Sequence, residues 1–353
     1  ERDSGSQQVT INNWNMGVWG TKDLYQLPED LSGIQITNMP SDGQLYTRPD
    51  DIRYSDVSTQ RVRDNAQLTV QYAPTDNLVA TLDYTYANND IEQRRTEATS
   101  WMNLGGITEI EFDTNSTVVA PIFVNTPNGT TSSLGQDQQY NAQENTLTSV
   151  GLNVEWQATD RLTVAFDVHS SEAESMPNGH KGAGQTAIQI AANTGTGQSY
   201  TYDGDIPLQT LQRPNGLTPE MHASQIGHIR YADQVTQLEQ AKVDLSYEFD
   251  EGRFDFGIEA RSVDMRNRNS TKQMTLGGWG ASNPGDIPSN LLELYNPSTM
   301  EGIPAGAADM AMKGHAEDIL ESLVVNPLYA TANSGEPWTT DVERNWNSDN
   351  QII

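Results

Sequence analysis

Three stretches of the chain alternate apolar and polar residues with period two, and each is broken once by a short turn. Leu68, Val70 and Tyr72 alternate with Thr69 and Gln71. After Pro74-Thr75-Asp76-Asn77, the residues Leu78, Ala80, Leu82, Tyr84 and Tyr86 alternate with Val79, Thr81, Asp83 and Thr85. Val150, Leu152, Val154 and Trp156 lead into Ala158-Thr159-Asp160-Arg161, and Leu162, Val164, Phe166 and Val168 lead out. Val243, Leu245, Tyr247 and Phe249 precede Asp250-Glu251-Gly252-Arg253, and Phe254, Phe256, Ile258 and Ala260 follow it. This pattern predicts antiparallel hairpins over 66–87, 147–170 and 240–264. Counted from the first residue after each turn, Asp83, Asp167 and Glu259 hold the same position, all on the polar face.

Long polar inserts, rich in Gly, Asn, Thr and Pro, fill residues 1–65, 88–146, 171–239 and 265–353. Connections longer than about 15 residues are unusual in a compact domain and tend to carry function or disorder. In the last insert, 307–325 reads as a helix closed by Asn326-Pro327. Its apolar side would be Met312, Ala316, Ile319, Leu320 and Leu323, opposite Asp318 and Glu321. A shorter helix is predicted over 186–193.

The alternation of short turns and long inserts adds a further expectation. Antiparallel strands reverse direction, so every short turn falls at one end and every long connection at the other. The expected fold is all-β, an antiparallel transmembrane β-barrel segment with short periplasmic turns and long extracellular loops. One strand face would meet lipid. The other, with Asp83, Asp167 and Glu259, would face a wet lumen, and Tyr72, Trp156 and Phe249 beside the turns suit an aromatic girdle. A soluble sheet with one wet face gives the same alternation. The second reading is therefore an acidic secreted or surface β-rich binding or structural protein without transport. The lipid face separates the two. Leu68, Val70, Leu82, Tyr84, Val154, Phe166 and Phe256 form a continuous outward band in a barrel and a closed core in a soluble sheet.

Charge and composition narrow the partners. The chain has 48 Asp plus Glu against 20 Lys plus Arg, a net charge of −28, which repels nucleic acid phosphates. It has no cysteine, which excludes disulfides, thiolate metal sites and a cysteine nucleophile. No apolar run approaches the roughly 18 residues of a membrane helix. Neither G-x-S-x-G, H-E-x-x-H nor a phosphate-binding P-loop occurs, so no enzyme is expected. His222 and His228 are read as surface histidines rather than metal ligands. Asp50-Asp51 and Asp203-Gly204-Asp205 offer hard oxygens to Ca²⁺ but match no full calcium loop, and no cofactor is expected. The candidate ligand contacts are the insert tryptophans Trp101, Trp279, Trp338 and Trp346, whose flat faces beside Asn and Asp suit sugars or other amphipathic nutrients.

The stretches QLTVQYAPTDNLVATLDYTY and GLNVEWQATDRLTVAFDVHS resemble paired strands of TonB-dependent receptors of Gram-negative bacteria, especially the large-loop type of aquatic proteobacteria. The resemblance covers about residues 60–90 and 146–172, more weakly 240–264, and leaves out the loops. It implies an outer-membrane location with loops facing the cell exterior. It also implies a plug domain, energy supplied by TonB, and a small nutrient (sugar, peptide or chelate) as cargo. The chain departs from the family in having no plug domain, no TonB box and no final strand ending in an aromatic. Three hairpins make only six strands, which reads as an interior piece of a longer receptor.

Overall fold

The computed structural model describes residues 2–12, 15–20, 30–48, 50–102, 106–115, 117–127, 132–202, 206–213, 215–278, 280–307, 310–329 and 348–352. The three alternating segments form hairpins at the expected turns, and their strands run well beyond the alternation. The strands are β1 (Arg2–Asn12), β2 (Asp51–Thr75), β3 (Leu78–Trp101), β4 (Ser132–Thr159), β5 (Leu162–Pro177), β6 (Gln185–Gly195), β7 (Ala223–Phe249), β8 (Gly252–Thr275) and β9 (Ser348–Ile352). They build one nine-stranded sheet in the order β1-β2-β3-β4-β5-β7-β8-β9, with β6 between β4 and β7. All its neighbours are antiparallel.

The turns follow from local chemistry. Thr159 Oγ1 accepts hydrogen bonds from the N–H groups of Arg161 (3.3 Å) and Leu162 (3.0 Å), which fixes the tight reversal. Both Thr-Asp turns carry a register shift just before the reversal, between Tyr72 and Thr75 and between Gln157 and Thr159. The third hairpin closes in register at Phe249 and Gly252.

Helix 186–193 is a misreading. Residues 185–195 are strand β6, which continues the line of β5 after a short detour through His180–Gly182. Ile188, Ile190, Ala191 and Ala192 are buried. With a ladder partner on each side, this strand buries Ala187 and Ala191 on one face and Ile188, Ile190 and Ala192 on the other, and so short an apolar segment, broken only by Gln189, cannot be told from a buried helix by period. The helix predicted over 307–325 is shorter than expected. Only α1 (Ala316–Val324) is helical, and Ala311–Lys313 is extended, paired with Glu293–Tyr295. The cause lies in β4. Gln138 donates to Met312 O (3.1 Å) and accepts from Gly314 N (3.1 Å), while the Gln136 side chain accepts from Met312 N (2.5 Å). These bonds draw the segment out flat against the sheet. The expected apolar residues are nonetheless all buried: Met312, Ala316, Ile319, Leu320 and Leu323.

The inserts are folded rather than structureless. Leu208–Gln212, Gly197–Thr201, Pro121–Thr126, Glu109–Phe112 and Gln35–Thr37 form a five-stranded sheet. Asn15–Val18, Leu45–Arg48 and Val118–Val119 form a three-stranded one. Two apolar clusters hold these pieces to the end of the large sheet farthest from the short turns. One gathers Trp19, Tyr46 and Phe112, in mutual edge-to-face contact, with Ile52, Tyr54, Ala98 and Tyr200. Tyr54 locks the five-stranded sheet in place, its hydroxyl donating to Pro207 O (2.9 Å) and accepting from Gln209 N (2.8 Å). The other joins α1 to Leu134, Ile188, Ile190 and Met274. Gly227 is required beneath α1, because a Cβ there would come within 2.6 Å of the buried Leu320 Cδ2.

Among the described residues, none packs in this way over the half of the sheet near the short turns. Across the register, Val70-Leu82-Leu152-Val168-Ala241-Ala260 make one row and Tyr72-Ala80-Val154-Phe166-Val243-Ile258 the next. Trp156-Val164-Leu245-Phe256 and Leu162-Tyr247-Phe254 follow toward the turns. Leu68, Tyr84 and Val150 extend the band by one row on β2, β3 and β4, while Ser170, Glu239 and Ser262 continue that row on β5, β7 and β8, so the staggered band spans eight residues in all, or about 27 Å along the strands. Many of its members are exposed: Leu68 is 58% accessible, Phe254 63% and Ile258 65%. One row beyond Tyr84, the same face carries Thr148, Glu172, Gln237 and Asp264.

Candidate functional site

The opposite face of the same strands is mostly polar, with Leu147, Leu238, Val263 and Met265 as apolar interruptions midway along it. The row Gln71-Thr81-Asn153-Asp167-Lys242-Glu259 crosses all three hairpins, so Asp167 and Glu259 flank Lys242. Asp83 lies one row farther from the turns, in Thr69-Asp83-Gly151-His169-Gln240-Arg261. The three sequence-equivalent acids therefore share a face but not a row, because the hairpins are staggered. Asp83 and Asp167 have local partners, and the lysine beside Glu259 pairs elsewhere. Thr69 donates to Asp83 (2.5 Å) and Asn153 to Asp167 (3.4 Å), while Lys242 forms an ion pair with Asp244 (2.7 Å).

Trp101 is on this face too, but about 60 Å farther along β3 from Asp83. The structure does not bring the two together. Trp101 is exposed, opposite Asp51 in the ladder. Beside it is a charged cluster that sequence reading missed. Arg53 bridges the buried Asp51 (3.1 Å) and Glu97 (3.3 Å), Arg95 also pairs with Glu97, and Ser55 Oγ donates to Glu97 (3.2 Å). Glu97 is 1% exposed. Asp137 is the next residue along that row, and burial pushes its carboxyl up to about 6. Glu97 adds to the rise, against hydrogen bonding from Gln139 and the charges of Arg53 and Arg95. The members come from β2, β3 and β4, and no local spacing announces them. The one available signal was Arg94-Arg95-Thr96-Glu97 inside a segment with no turn residues. Trp279, Trp338, Trp346 and Asp203-Gly204-Asp205 lie outside the described residues.

Between the Asp83 row and the Glu97 row the polar face holds two hollows. One, of about 630 Å³, is bordered by Arg61, Arg63, Asn89, Asn145, Ser175 and Gln234. The other, of about 430 Å³, is bordered by Gln93, Asn141, Gln143, Gln185 and Arg230. Their walls join hydrogen-bonded ladders of amides and hydroxyls to aliphatic patches. Gln185 donates to Asn141 (2.9 Å), Ser175 to Asn145 (2.8 Å) and Gln143 to Ser175.

His222 corrects the expectation of a surface histidine, since it is fully buried. Its Nδ1–H donates to Thr218 O (2.9 Å), so Nε2 accepts from the Gln136 amide (2.9 Å) whose oxygen holds Met312 N. The neutral ring fits this chain of donors and acceptors, and a protonated ring would set two donors against each other. Burial, with Arg213 nearby, holds its pKa below the ordinary 6.5 despite the Thr218 and Pro219 carbonyls. With a depressed folded pKa, the stabilisation is present above the unfolded value and is lost as pH falls through the folded one. Hydrogen exchange at residues 310–314 should therefore accelerate below pH 6.5, and a His222→Asn variant should lose that dependence. Identical pH profiles for the two proteins would refute the link.

Among the described residues no group of three or more His, Asp or Glu side chains could hold a metal ion. Asp51, one of the acids considered for Ca²⁺, is paired with Arg53. Compared with known proteins, the chain matches no family model, no curated protein and no solved structure.

Proposed function

We propose that this sheet is part of a transmembrane β-barrel in the outer membrane of a Gram-negative bacterium, a TonB-dependent receptor. Its folded surface loops capture a small nutrient, and the polar face lines the path inward. The carrying observation is the exposed apolar band. Four successive rows on one face, with a fifth on β2, β3 and β4, make a staggered band about 27 Å along tilted strands, which matches the apolar belt of such barrels. The opposite face at the same level is hydrogen-bonding and charged, as a lumen requires. Tyr72, Trp156, Tyr247, Phe249 and Phe254 cluster at the short-turn edge, where an interfacial aromatic girdle belongs. The short turns all lie at one end and the folded inserts at the other.

Among the described residues, 62–75 of β2 and 252–264 of β8 have a ladder partner on one side only. Hydrocarbon tolerates no open sheet edge. On this reading both edges pair with further strands of a closed barrel. The plug and the use of TonB energy rest on the resemblance alone. Washing membranes with alkaline carbonate tests the proposal. The protein should stay in the pellet and come out only with detergent. Release without detergent would overturn it in favour of a surface β-rich binding protein.

A further inference from the structure

The net charge of −28 is not spread evenly over the polar face. Six consecutive rows, from that of Gln67 to that of Arg95, contain no Asp or Glu in any strand of the sheet. The charged residues in those rows are all arginines: Arg2, Arg61, Arg63, Arg95 and Arg230. The nearest acids on this face are Asp83 on the turn side and Glu97 and Asp137 on the loop side. Arg95 is committed to Glu97. Among the described residues, Arg61, Arg63 and Arg230 form no ion pair, and Arg63 bonds only to the neutral Asn65 side chain (3.2 Å). All three border the two hollows. Glu174 also borders the larger hollow, but by register it belongs to the opposite face.

Unpaired guanidinium groups beside a concave surface are set up for planar oxyanions, with two parallel N–H donors each. The surroundings narrow the ligand further. The hollow walls combine amides and hydroxyls, which both donate and accept, with aliphatic patches (Ala87, Leu147 and Ala173 in one, Ile91, Pro177 and Ala232 in the other), and neither hollow has an aromatic side chain in its lining. Such a wall matches a ligand dense in hydroxyls and carrying separated anionic groups.

We propose that the acid-free stretch binds an anionic saccharide. Its carboxylate or sulfate groups are taken by Arg61, Arg63 and Arg230, and its hydroxyls by the flanking amide rows. This assigns the cargo class of the receptor and rests on that reading. Acids above and below the stretch confine the anion to it, because a negative group moving either way meets like charge.

The test is titration calorimetry on the full chain in detergent with four probes: oligogalacturonate (carboxylated), dextran sulfate (sulfated), maltodextrin (neutral) and polyglutamate (an acidic peptide). At least one of the first two should bind, and which one binds identifies the anionic group. Maltodextrin and polyglutamate should bind at least about tenfold more weakly, the margin of one lost charged hydrogen bond. Replacing Arg61, Arg63 and Arg230 together by glutamine should weaken binding about a hundredfold, and lysine at the same positions should keep most of it. Equal binding of maltodextrin or polyglutamate would overturn the proposal, as would an unaffected glutamine variant or no binding of either anionic saccharide. None of these results bears on carbonate extraction, so failure of the cargo assignment and failure of the receptor reading are separately visible.

Discussion

Replacing Phe166 by arginine is expected to cost about 2–4 kcal/mol of folding into lipid, the penalty for a cation near the midplane of a membrane barrel. Phe166 is in the middle row of the apolar band, between Val154 and Val243 in the ladder, and its ring is exposed. On a wetted sheet the same change would be close to neutral, because exposed substitutions away from special features stay within about 0.5 kcal/mol. The two readings therefore differ in the size of the effect. Asn153→Arg is the matched control at the same depth on the polar face, where the new cation would meet Asp167. Urea unfolding in lipid vesicles should show a large loss for Phe166→Arg and little for Asn153→Arg. Equal stabilities for Phe166→Arg and the parent chain would remove the physical basis for the membrane proposal.

The second large effect is expected at Asp286, the knot that ties the connection between β8 and α1 to the sheet. Its carboxylate accepts from Ser224 N (3.0 and 3.2 Å), from Ser224 Oγ (2.6 Å) and from the Tyr329 hydroxyl, all buried. Asn326 adds a bond to the Asp286 main-chain carbonyl (3.0 Å). Asp286→Ala leaves several buried donors without an acceptor, at roughly 3 kcal/mol or more. Limited proteolysis should cut within residues 276–329 faster, while the hairpin ladders persist because they share none of these bonds. Asp286→Asn keeps the volume and one acceptor, so it should fall between the two. Unchanged cleavage in Asp286→Ala would show that the apolar cluster around α1 holds the connection by itself.

The part of the fold that could be read in the sequence is the part whose two faces see different surroundings. Leu78 to Tyr86 alternates because one side is apolar throughout, so turn positions and face assignments came out together. Beyond Ala87 the strand continues through Asn88-Asn89-Asp90-Ile91-Glu92-Gln93, where both faces are polar or covered by inserts and period two disappears. The ladder to β2 and β4 holds those residues extended, and a ladder partner leaves no mark in the local sequence. β6 failed for a different reason, since its alternation is blurred by Ala187 and Ala191, which are buried on the face they share with Gln185 and Gln189. The buried Glu97 cluster and the arginine rows were invisible because their members are far apart in sequence and meet only through register. His222 was misjudged because burial of a histidine depends on Gln136 and Thr218, which no spacing connects to it.

The reversal of surroundings along one strand face has a consequence for error correction during folding. Leu82 and Ala98 have the same parity on β3. Leu82 is exposed in the apolar band, whereas Ala98 is buried beneath the inserts. A slip of one residue inverts every side chain of a strand. Here it would put Asp83 among the apolar rows and, in the same movement, drive Glu97 away from Arg53 on β2 into the aromatic cluster. Two penalties in two separate environments would fall on a single mistake. A strand of this length has many mispaired alternatives, and the chain is proofread at both ends of the ladder at once.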